Sequence, residues 1–455
     1  MLRIHDSAAR EKVEFVPRHD GAVSIYVCGV TPYDSPHLGH GRTAIAFDTI
    51  RRYLEWRGFR VTFVSNVTDV EDRIIARAAE RGTTEPELAR EFEAEYWNQL
   101  RRLNVRAPDA VPRATEFIDQ MLRLIGELVA AGRAYVIEGQ GVYFEVAKFA
   151  DYGSLSHRTP ADLLESAGRS DRVAVDERKR SPVDFALWKA AKPGEPQWDS
   201  PWGGGRPGWH IECSAMSLEI LGEGFDIHGG GDDLLFPHNE NELAQAAGAG
   251  HAFARHWLHA GMVNVDGEKM SKSLGNFTTL EELLDRWDPR AFRLLVLQTH
   301  YRRQMEFTAK ELDDADKALG RIDQLVRRAR IAGIEPADSG DSTPFRDAMD
   351  DDFDTPAALA FIFDTVREAN TAIDQERADA AQLVATVVEL TRALGIELRN
   401  ETDEPDADIQ ALVEQRDAAR AAKDFAESDR IRDELRERGV VLEDTSGGTV
   451  WRRDP

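Results

Sequence analysis

Residues 23–42 read VSIYVCGVTPYDSPHLGHGR, a short apolar run rich in β-formers that breaks into a turn at Thr31-Pro32. Apolar side chains then recur at mostly three-residue spacing from Gly41 to Trp56, which predicts a helix, and Gly58 ends it. A second strand is predicted at Val61–Val64. A strand, a turn, a helix and a strand within about forty residues form a βαβ unit, which begins a parallel sheet. The sequence therefore predicts an α/β fold with a parallel core.

The next part of the chain contains an insertion in this core. Several helices are predicted from Glu71 to about Gly132. Residues 133–205 mix short strands with loops rich in proline and glycine, which is typical of an inserted segment. A strand at Phe225–His228, a glycine loop and a helix from about His238 then return to the pattern of the core.

The last third of the chain is predicted to be helical. The pattern runs from residue 278 nearly to 400, and Ile334–Pro344 interrupts it with the composition of a linker. A compact tail follows an acidic linker. It is predicted to hold two helices, Ile409–Lys423 and Phe425–Arg438, and a small hairpin after Gly439.

Composition and charge exclude several classes of protein. The chain has 455 residues, of which 42% are hydrophobic, and its net charge is −25. Such an acidic surface repels polyanions. Any nucleic-acid partner must therefore bind at a local basic patch. Two cysteines do not make a disulfide framework, which favours a reducing compartment. Because no signal peptide or membrane span is recognisable, we expect a soluble cytoplasmic protein.

Two histidines flank a glycine where the first strand gives way to the first helix, in Pro36-His37-Leu38-Gly39-His40. A helix N-terminus offers N–H donors and a favourable dipole to a phosphate, and glycine lets the backbone approach the ligand. The imidazoles can add donors to a nucleotide phosphate. Alternatively, both histidines are ordinary polar residues at the start of a helix.

A second candidate is the segment EKMSKSLGN at residues 268–276, in which Lys269 and Lys272 alternate with small hydroxyl residues. Two ammonium groups on a loop that moves can stabilise the charge that develops on a departing pyrophosphate. The alternative is a solvated surface loop, where most lysines lie.

A third candidate is a dispersed metal site. His238 and Glu242 are four residues apart, so on a helix both can reach one ion. Zn²⁺ accepts thiolate, imidazole and carboxylate ligands together, and Cys28 and Cys213 supply thiols. Cysteines are also commonly buried as small apolar residues, and only the fold can bring these two together.

The histidine motif and KMSKS, in this order and about 230 residues apart, resemble the motifs of class I aminoacyl-tRNA synthetases. Within that class, the chain resembles the cysteinyl-tRNA synthetase family over nearly its whole length, including the tail Arg416–Trp451. The segments that carry this resemblance are Tyr26–Thr31, Asn66–Asp69, Pro207–Ser214, Asp226–Gly231 and Phe236–His238.

The resemblance implies a zinc ion on Cys28, Cys213, His238 and Glu242, with an open position that takes the thiolate of the substrate. An apolar pocket separates near-isosteres by only about 100-fold, whereas a serine hydroxyl is a much poorer zinc ligand than a thiolate. No editing domain is then needed. The chain departs from the family pattern at Asn239, where the family often has a second histidine, and at Leu38, where isoleucine is more usual.

The resemblance also assigns residues to the substrate sites. Thr68, Trp209 and His228 match positions that line the amino-acid pocket, and His37, His40, Lys269 and Lys272 are expected to be catalytic. ATP, accompanied by Mg²⁺, is expected to contact a larger set: His37, Gly39, His40, Asp233, Lys269, Ser271 and Lys272. Asp233 is equally well explained as an exposed loop aspartate.

The implied partners are L-cysteine, ATP and tRNA(Cys), and the implied oligomeric state is a monomer. The expected fold is a parallel Rossmann-type nucleotide-binding core with an insertion, followed by a helical bundle and a small C-terminal α/β tail. The predicted divisions are 1–115 and 205–265 for the core, 116–204 for the insertion, 266–318 for the KMSKS loop and stem-contact subdomain, 319–400 for the bundle, and 401–455 for the anticodon-binding tail.

The tail is expected to supply the basic patch that tRNA needs. Trp451 can stack on an unpaired anticodon base, as recognition of single-stranded RNA favours. The candidate arginines are Arg416, Arg420, Arg432 and Arg436. The alternative is that these arginines and their acidic neighbours form a solvated helix face.

Three other functions are compatible with parts of this sequence. A ligase that passes activated cysteine to an amino-sugar resembles the catalytic core of this family, but it lacks the tail. A non-catalytic tRNA-binding regulator is expected to lose the loop lysines or the zinc ligands, which are intact here. A generic nucleotidyltransferase does not need the long helical region after KMSKS.

Overall fold

The structure is a computed structural model that describes residues 1–159, 162, 178–265, 268–269, 279–335, 337–399, 407–422, 424–438, 440–445 and 448–453. Its strands are β1 (Arg3–Asp6), β2 (Glu11–Glu14), β3 (Ala22–Val30), β4 (Arg60–Val67), β5 (Ala134–Ile137), β6 (Gly141–Phe144), β7 (Phe185–Ala190), β8 (Gly205–Pro207), β9 (Ile227–Gly231), β10 (His256–Ala260), β11 (Val263–Val265), β12 (Glu268–Lys269), β13 (Met305–Phe307), β14 (Val440–Thr445) and β15 (Gly448–Arg453).

The α-helices alternate with these strands in the first two thirds of the chain and dominate the last third. They are α1 (Leu38–Trp56), α2 (Asp72–Arg81), α3 (Glu85–Arg102), α4 (Ile118–Ala130), α5 (Trp209–Leu221), α6 (Glu240–Ala249), α7 (Leu280–Arg286), α8 (Pro289–Leu297), α9 (Ala309–Ile331), α10 (Thr343–Asp350), α11 (Thr355–Asp374), α12 (Ala380–Ala393), α13 (Ala407–Ala421) and α14 (Phe425–Glu437). In the described part of the chain, none of these has both the length and the apolar character that crossing a membrane requires.

The core is a parallel sheet with strand order β10-β9-β3-β4, which confirms the predicted α/β class. The β3–α1–β4 segment is the βαβ unit that the sequence predicts. Helix α1 begins three residues before the predicted position, because the His37 side chain caps it by accepting from the Gly39 N–H at 3.1 Å. The motif histidines therefore lie at the carboxyl end of β3, where ligands bind in such sheets.

Strand β9 differs from its prediction. The sequence predicts a strand at Phe225–His228 and a loop over the glycines, but the strand is Ile227–Gly231 and includes them. The glycines are in the strand because α1 lies against it. A Cβ atom at Gly229 would come within 2.3 Å of the Phe47 ring, so only glycine fits under the helix.

A Gly229→Ala substitution is therefore expected to destabilise the protein by about 1–3 kcal/mol, because the methyl group overlaps a buried ring. Urea unfolding followed by tryptophan fluorescence measures the change. Adding Phe47→Leu should recover part of the loss. In Gly126→Ala, on α4, the added methyl meets open space, so stability should rise by about 0.5–1 kcal/mol. Equal effects at both glycines would contradict this packing argument.

The insertion forms its own antiparallel sheet, β5-β6-β7-β8, packed on α4 around Phe144, Leu187 and Trp188. Its last strand reaches Pro207, three residues beyond the predicted division at 204. Helix α5 starts at Trp209, two residues after this strand ends. The insertion therefore leads directly into the helix that carries Cys213.

The last third is helical, as predicted. Helices α8 to α12 share one continuous apolar core with α1, which α8, α10 and α12 contact. The tail consists of α13, α14 and the antiparallel β14–β15 hairpin, which share a small core of Ile409, Val413, Ile431 and Leu435. Asp424 caps α14 by accepting from the Glu427 N–H.

Candidate active site

The structure brings the four predicted metal ligands together. Cys28 lies near the end of β3, Cys213 in the second turn of α5, His238 in the helical turn before α6, and Glu242 in the first turn of α6. All four are buried, and their candidate ligand atoms lie within 4.8 Å of one another. Residues separated by up to 214 positions in sequence thus converge because β3, α5 and α6 meet at one end of the sheet.

Glu242 is the centre of the contacts in this cluster. Its Oε1 lies 3.4 Å from the Cys28 Sγ and 2.9 Å from the His238 Nε2. Its Oε2 lies 2.7 Å from the Nε2 of His228. Each carboxylate oxygen is thus held by at least one neighbour, so the Glu242 side chain is fixed before any ligand arrives.

The electrostatics of the cluster favour a cation. Burial raises the pKa of the Cys28 thiol well above its usual value. Burial would do the same at Cys213, but hydrogen bonds with Cys28 and His238 outweigh it and lower that pKa to about 6. Burial likewise favours neutral Glu242, but His228 and His238 outweigh it and lower that pKa. Burial disfavours a charged His238, but the Glu242 carboxylate outweighs it and raises that pKa to about 10. A thiolate and a carboxylate therefore lie side by side in a buried space, where the positive charge on His238 compensates them and a metal cation could take its place.

His210 supports His238, a role that the sequence did not indicate. The Nδ1 atoms of the two rings are 2.9 Å apart. Burial lowers the pKa of His210 well below its usual value, so its ring is neutral and its Nδ1 can accept. The Nδ1–H of His238 then donates to it, which leaves His238 Nε2 facing the cluster. A histidine that binds a metal commonly donates its other N–H in this way.

Of the three predicted pocket residues, Trp209 and His228 contact the cluster, and Thr68 contacts Glu212, the neighbour of Cys213 in sequence. The Trp209 ring stacks on the His238 ring with centroids 4.3 Å apart. His228 contacts Glu242 and stacks on Trp257 at 4.5 Å. The Thr68 hydroxyl donates to Glu212 Oε2 at 2.8 Å. Their place beside the cluster follows from the fold, and their contact with a substrate remains a prediction.

Two buried polar atoms next to the cluster have no hydrogen-bond partner among the described residues: Glu212 Oε1 and His228 Nδ1. Tyr26 precedes Cys28 by two residues, so both lie on one face of β3, and the Tyr26 hydroxyl forms a hydrogen bond with Cys213. Burial, followed by the charge of Cys213, raises the pKa of Glu212. Orphaned buried polar atoms are rare, and a ligand that supplies partners would satisfy them.

The donor set fits a zinc ion. Two sulfurs, an imidazole nitrogen and a carboxylate oxygen are ligands that Zn²⁺ accepts together, each about 2.0–2.3 Å from the ion. The observed spread of at most 4.8 Å needs only small side-chain adjustments to bring all four atoms to such distances from one ion.

The two motif histidines form a stacked pair at the N-terminus of α1, with ring centroids 3.8 Å apart. The backbone N–H of His37 donates to His40 Nδ1 at 3.1 Å, and His37 Nδ1 accepts from Gly39. Burial lowers the pKa of both rings, so both are neutral and each carries its proton on Nε2. Both Nε2–H groups can donate to an anionic oxygen.

Asp233 lies close enough to His37 to oppose the lowering of its pKa. It belongs to the short 3₁₀ turn that follows β9, at the same end of the sheet as the motif histidines. The structure thus brings Asp233 to the predicted ATP site, and its ribose contact remains a prediction.

The KMSKS segment is only partly described. Lys269 lies in β12, which pairs with β11, and nothing is described of its side chain. Ser271 and Lys272 lie outside the described residues. The described chain resumes at Thr279, whose backbone pairs with His37. Since Leu280 N–H also donates to Pro36 at 2.8 Å, the far end of this segment is attached to the histidine motif.

The predicted tRNA contacts lie in the tail. The Arg416 side chain is buried and donates to Thr449 on the hairpin at 2.8 Å, which joins α13 to β15. Arg432 pairs with Asp429 on the exposed face of α14, and Arg420 and Arg436 are exposed. Trp451 lies in β15, and its side chain lies outside the described part. Contact of these residues with tRNA remains a prediction.

Comparisons with known proteins agree with this arrangement. Residues 14–317 match the family of tRNA synthetases class I (C) catalytic domains, residues 344–399 the DALR domain, and residues 402–452 the cysteinyl-tRNA ligase anticodon binding domain. The fold is similar to that of methionyl-tRNA synthetase from Mycobacterium tuberculosis, solved in complex with methionyl-adenylate. The TM-score is 0.58 at 16% identity, and the match covers 82% of this chain and 89% of that one.

The fold and the catalytic-domain match together define a class I aminoacyl-tRNA synthetase. The chain is 50% identical to the cysteine–tRNA ligase of Thioalkalivibrio sulfidiphilus over 465 residues and 49% identical to that of Halorhodospira halophila over 463 residues, and each match covers 100% of both chains. Within the class, the chain belongs to the cysteine–tRNA ligase family, and it is an ATP-dependent ligase. The amino-sugar alternative is not supported, because the match includes the anticodon-binding domain.

Proposed function

We propose that this chain binds one Zn²⁺ at Cys28, Cys213, His238 and Glu242, and that it uses this centre to select L-cysteine for ligation to tRNA(Cys). The observation that supports the proposal is the convergence of these four buried donors within 4.8 Å. When bound, the ion supplies a Lewis-acidic position that prefers a thiolate to a hydroxyl. Serine, which differs from cysteine by one atom, is thereby rejected.

The chain itself orients the amino acid around this centre. The Trp209 ring, fixed by stacking on His238, forms one wall, and His228 holds Glu242 in place. The Thr68–Glu212 pair presents Glu212 Oε1, which can accept from the ammonium group of the substrate. These groups are fixed by contacts with one another, so little ordering is required when cysteine binds.

Activation joins the cysteine carboxylate to the α-phosphate of ATP and releases pyrophosphate. The Nε2–H groups of His37 and His40 donate to phosphate oxygens, and Gly39 lets the backbone approach them. Lys269, Ser271 and Lys272 act on the same phosphates with Mg²⁺, and Asp233 binds the ribose. The terminal ribose hydroxyl of the tRNA then displaces AMP. Positioning and charge stabilisation account for the rate, as in other phosphoryl transfers.

The tail is assigned to the anticodon. Arg420, Arg432 and Arg436 supply positive charge, Arg416 fixes the hairpin on α13, and Trp451 stacks on an unpaired base. We retain the sequence-based domain divisions, a monomeric state and a location in the cytoplasm as parts of the proposal.

Removing the metal tests the metal centre directly. The zinc-loaded protein should charge tRNA(Cys) with cysteine and exclude serine by far more than the about 100-fold of an apolar pocket. Dialysis against a chelator should abolish charging with cysteine, and added Zn²⁺ should restore it. The measurement is aminoacylation with radioactive cysteine or serine. Full activity and full discrimination after the metal has been removed would contradict the proposal.

A further inference from the structure

Asn239 contacts two of the candidate metal ligands at once. Its side chain is fully buried, and its Nδ2 lies 3.4 Å from Cys28 Sγ and 2.9 Å from Glu242 Oε1. Its Oδ1 lies 3.0 Å from His259 Nε2. The chain of contacts continues to Ser7, whose Oγ lies 2.7 Å from His259 Nδ1. These four steps connect the N-terminal segment, β10 and the turn before α6 to the end of β3.

The direction of each hydrogen bond in this network follows from the chemistry of its members. The carboxylate of Glu242 can only accept, so the Asn239 amide must present its NH₂ group there and its oxygen to His259. Burial lowers the pKa of His259 to about 3, so the ring is neutral and carries one proton. That proton lies on Nε2 and is donated to Asn239, which leaves Nδ1 to accept from the Ser7 hydroxyl. One arrangement satisfies every member.

We propose that Asn239 is a positioning residue of the metal centre, whose NH₂ group holds the Cys28 sulfur and Glu242 Oε1 together while His259 and Ser7 fix its orientation. This inference rests on the metal centre of the proposed function. The two amide hydrogens serve two ligands. The histidine that the family often has at this position has at most one N–H on each side of its ring, so this chain has its own way to orient these ligands.

The consequence is an effect on metal affinity. An N–H donated to a thiolate draws charge from the sulfur and fixes its direction, and partners of this kind change metal affinity by about 10–100-fold when they are lost. Asn239→Asp is nearly isosteric, but it replaces the donor with an oxygen that repels both Cys28 and Glu242. The affinity of the Asn239→Asp variant for Zn²⁺ should therefore fall by about 10–100-fold.

The test measures metal binding rather than activity. Zn²⁺ affinity is measured by competition with a chromophoric chelator, and the sulfur-to-metal absorption band is recorded with Co²⁺ in place of Zn²⁺. Asn239→Asp should weaken binding about 10–100-fold and shift the band, because the Cys28 sulfur loses its donor. Asn239→Ala removes the donor without adding charge, and it provides the test if the aspartate variant does not fold.

The control is Asn241→Asp, the same change two residues along the chain. The Asn241 oxygen accepts from the Tyr152 hydroxyl, which a carboxylate can equally do, so metal affinity and the band should stay unchanged. His259→Leu should also weaken binding, whereas His259→Gln keeps a donor for Asn239 and should restore most of it. If Asn239→Asp only lowers the melting temperature and leaves the Zn²⁺ affinity and the Co²⁺ absorption band unchanged, the inference is overturned.

Zn²⁺ binding by the wild-type chain and by the Asn239→Asp variant distinguishes the metal centre from the role of Asn239. Tight Zn²⁺ binding by the wild-type chain together with unchanged binding by Asn239→Asp overturns the role of Asn239 and leaves the metal centre intact. A wild-type chain that binds no Zn²⁺ overturns the metal centre, and this inference with it.

Discussion

Replacing Cys213 by serine is expected to lower cysteine-dependent ATP–pyrophosphate exchange by at least about 1,000-fold, equivalent to about 4 kcal/mol at the transition state. The hydroxyl of serine does not ionise near neutral pH and is a poor zinc ligand. Because Cys213 is fully buried, water cannot readily replace the missing ligand. The measurement is exchange of labelled pyrophosphate, with metal content determined on the same samples.

The matched control is Ala215→Ser, which adds a hydroxyl to the same helix. Ala215 packs in the core of the insertion rather than against the cluster, so exchange should change less than about threefold. The double variant Cys28→Ser/Cys213→Ser should be little worse than either single variant, because ligands of one ion act as a unit. Nearly normal exchange in Cys213→Ser would show that this thiol does not hold the substrate-selecting metal.

Only part of the candidate site could be predicted from the chain. The four-residue spacing of His238 and Glu242 predicts a shared helix face. The structure places His238 in the turn before α6 and still brings the two side chains within 2.9 Å. The proximity of Cys28 and Cys213 depends on how β3 and α5 pack, so only the family resemblance could indicate it.

The residues that support the cluster had no local signal. His210 contacts His238, which lies 28 positions away in the sequence, and Ser7 contacts His259, which lies 252 positions away. No periodicity in one segment encodes such a contact. The fold shows the same limit. In the sequence, the glycines of β9 are typical of a loop, and the reason for them appears only when the Phe47 ring of α1 is seen to pack against the strand. The βαβ unit, whose pattern is local, was predicted to within a few residues.

Replacing Asp48 by asparagine is expected to destabilise the protein by about 3–5 kcal/mol, the typical cost of breaking a buried ion pair. Asp48 Oδ2 accepts from the Arg52 Nε at 2.7 Å and also from Arg293 on α8, while its Oδ1 accepts from the backbone of Arg106 at 2.9 Å. Asparagine keeps the shape and can keep the Arg106 bond. It removes the carboxylate charge that the Arg52 and Arg293 guanidinium groups both contact.

The effect is expected to be large because this ion pair is buried between α1 of the core and α8 of the helical region. Arg293 is 1% exposed, and burial lowers its pKa to about 9, so an unpaired charge there is costly. The control is Asp364→Asn, which breaks the exposed pair with Arg367 and should cost less than about 1 kcal/mol. Urea unfolding measures both. Adding Arg293→Leu to Asp48→Asn should recover part of the loss, because it removes the unpaired charge. A cost for Asp48→Asn as small as that of the surface control would mean that apolar packing alone holds α8 on α1.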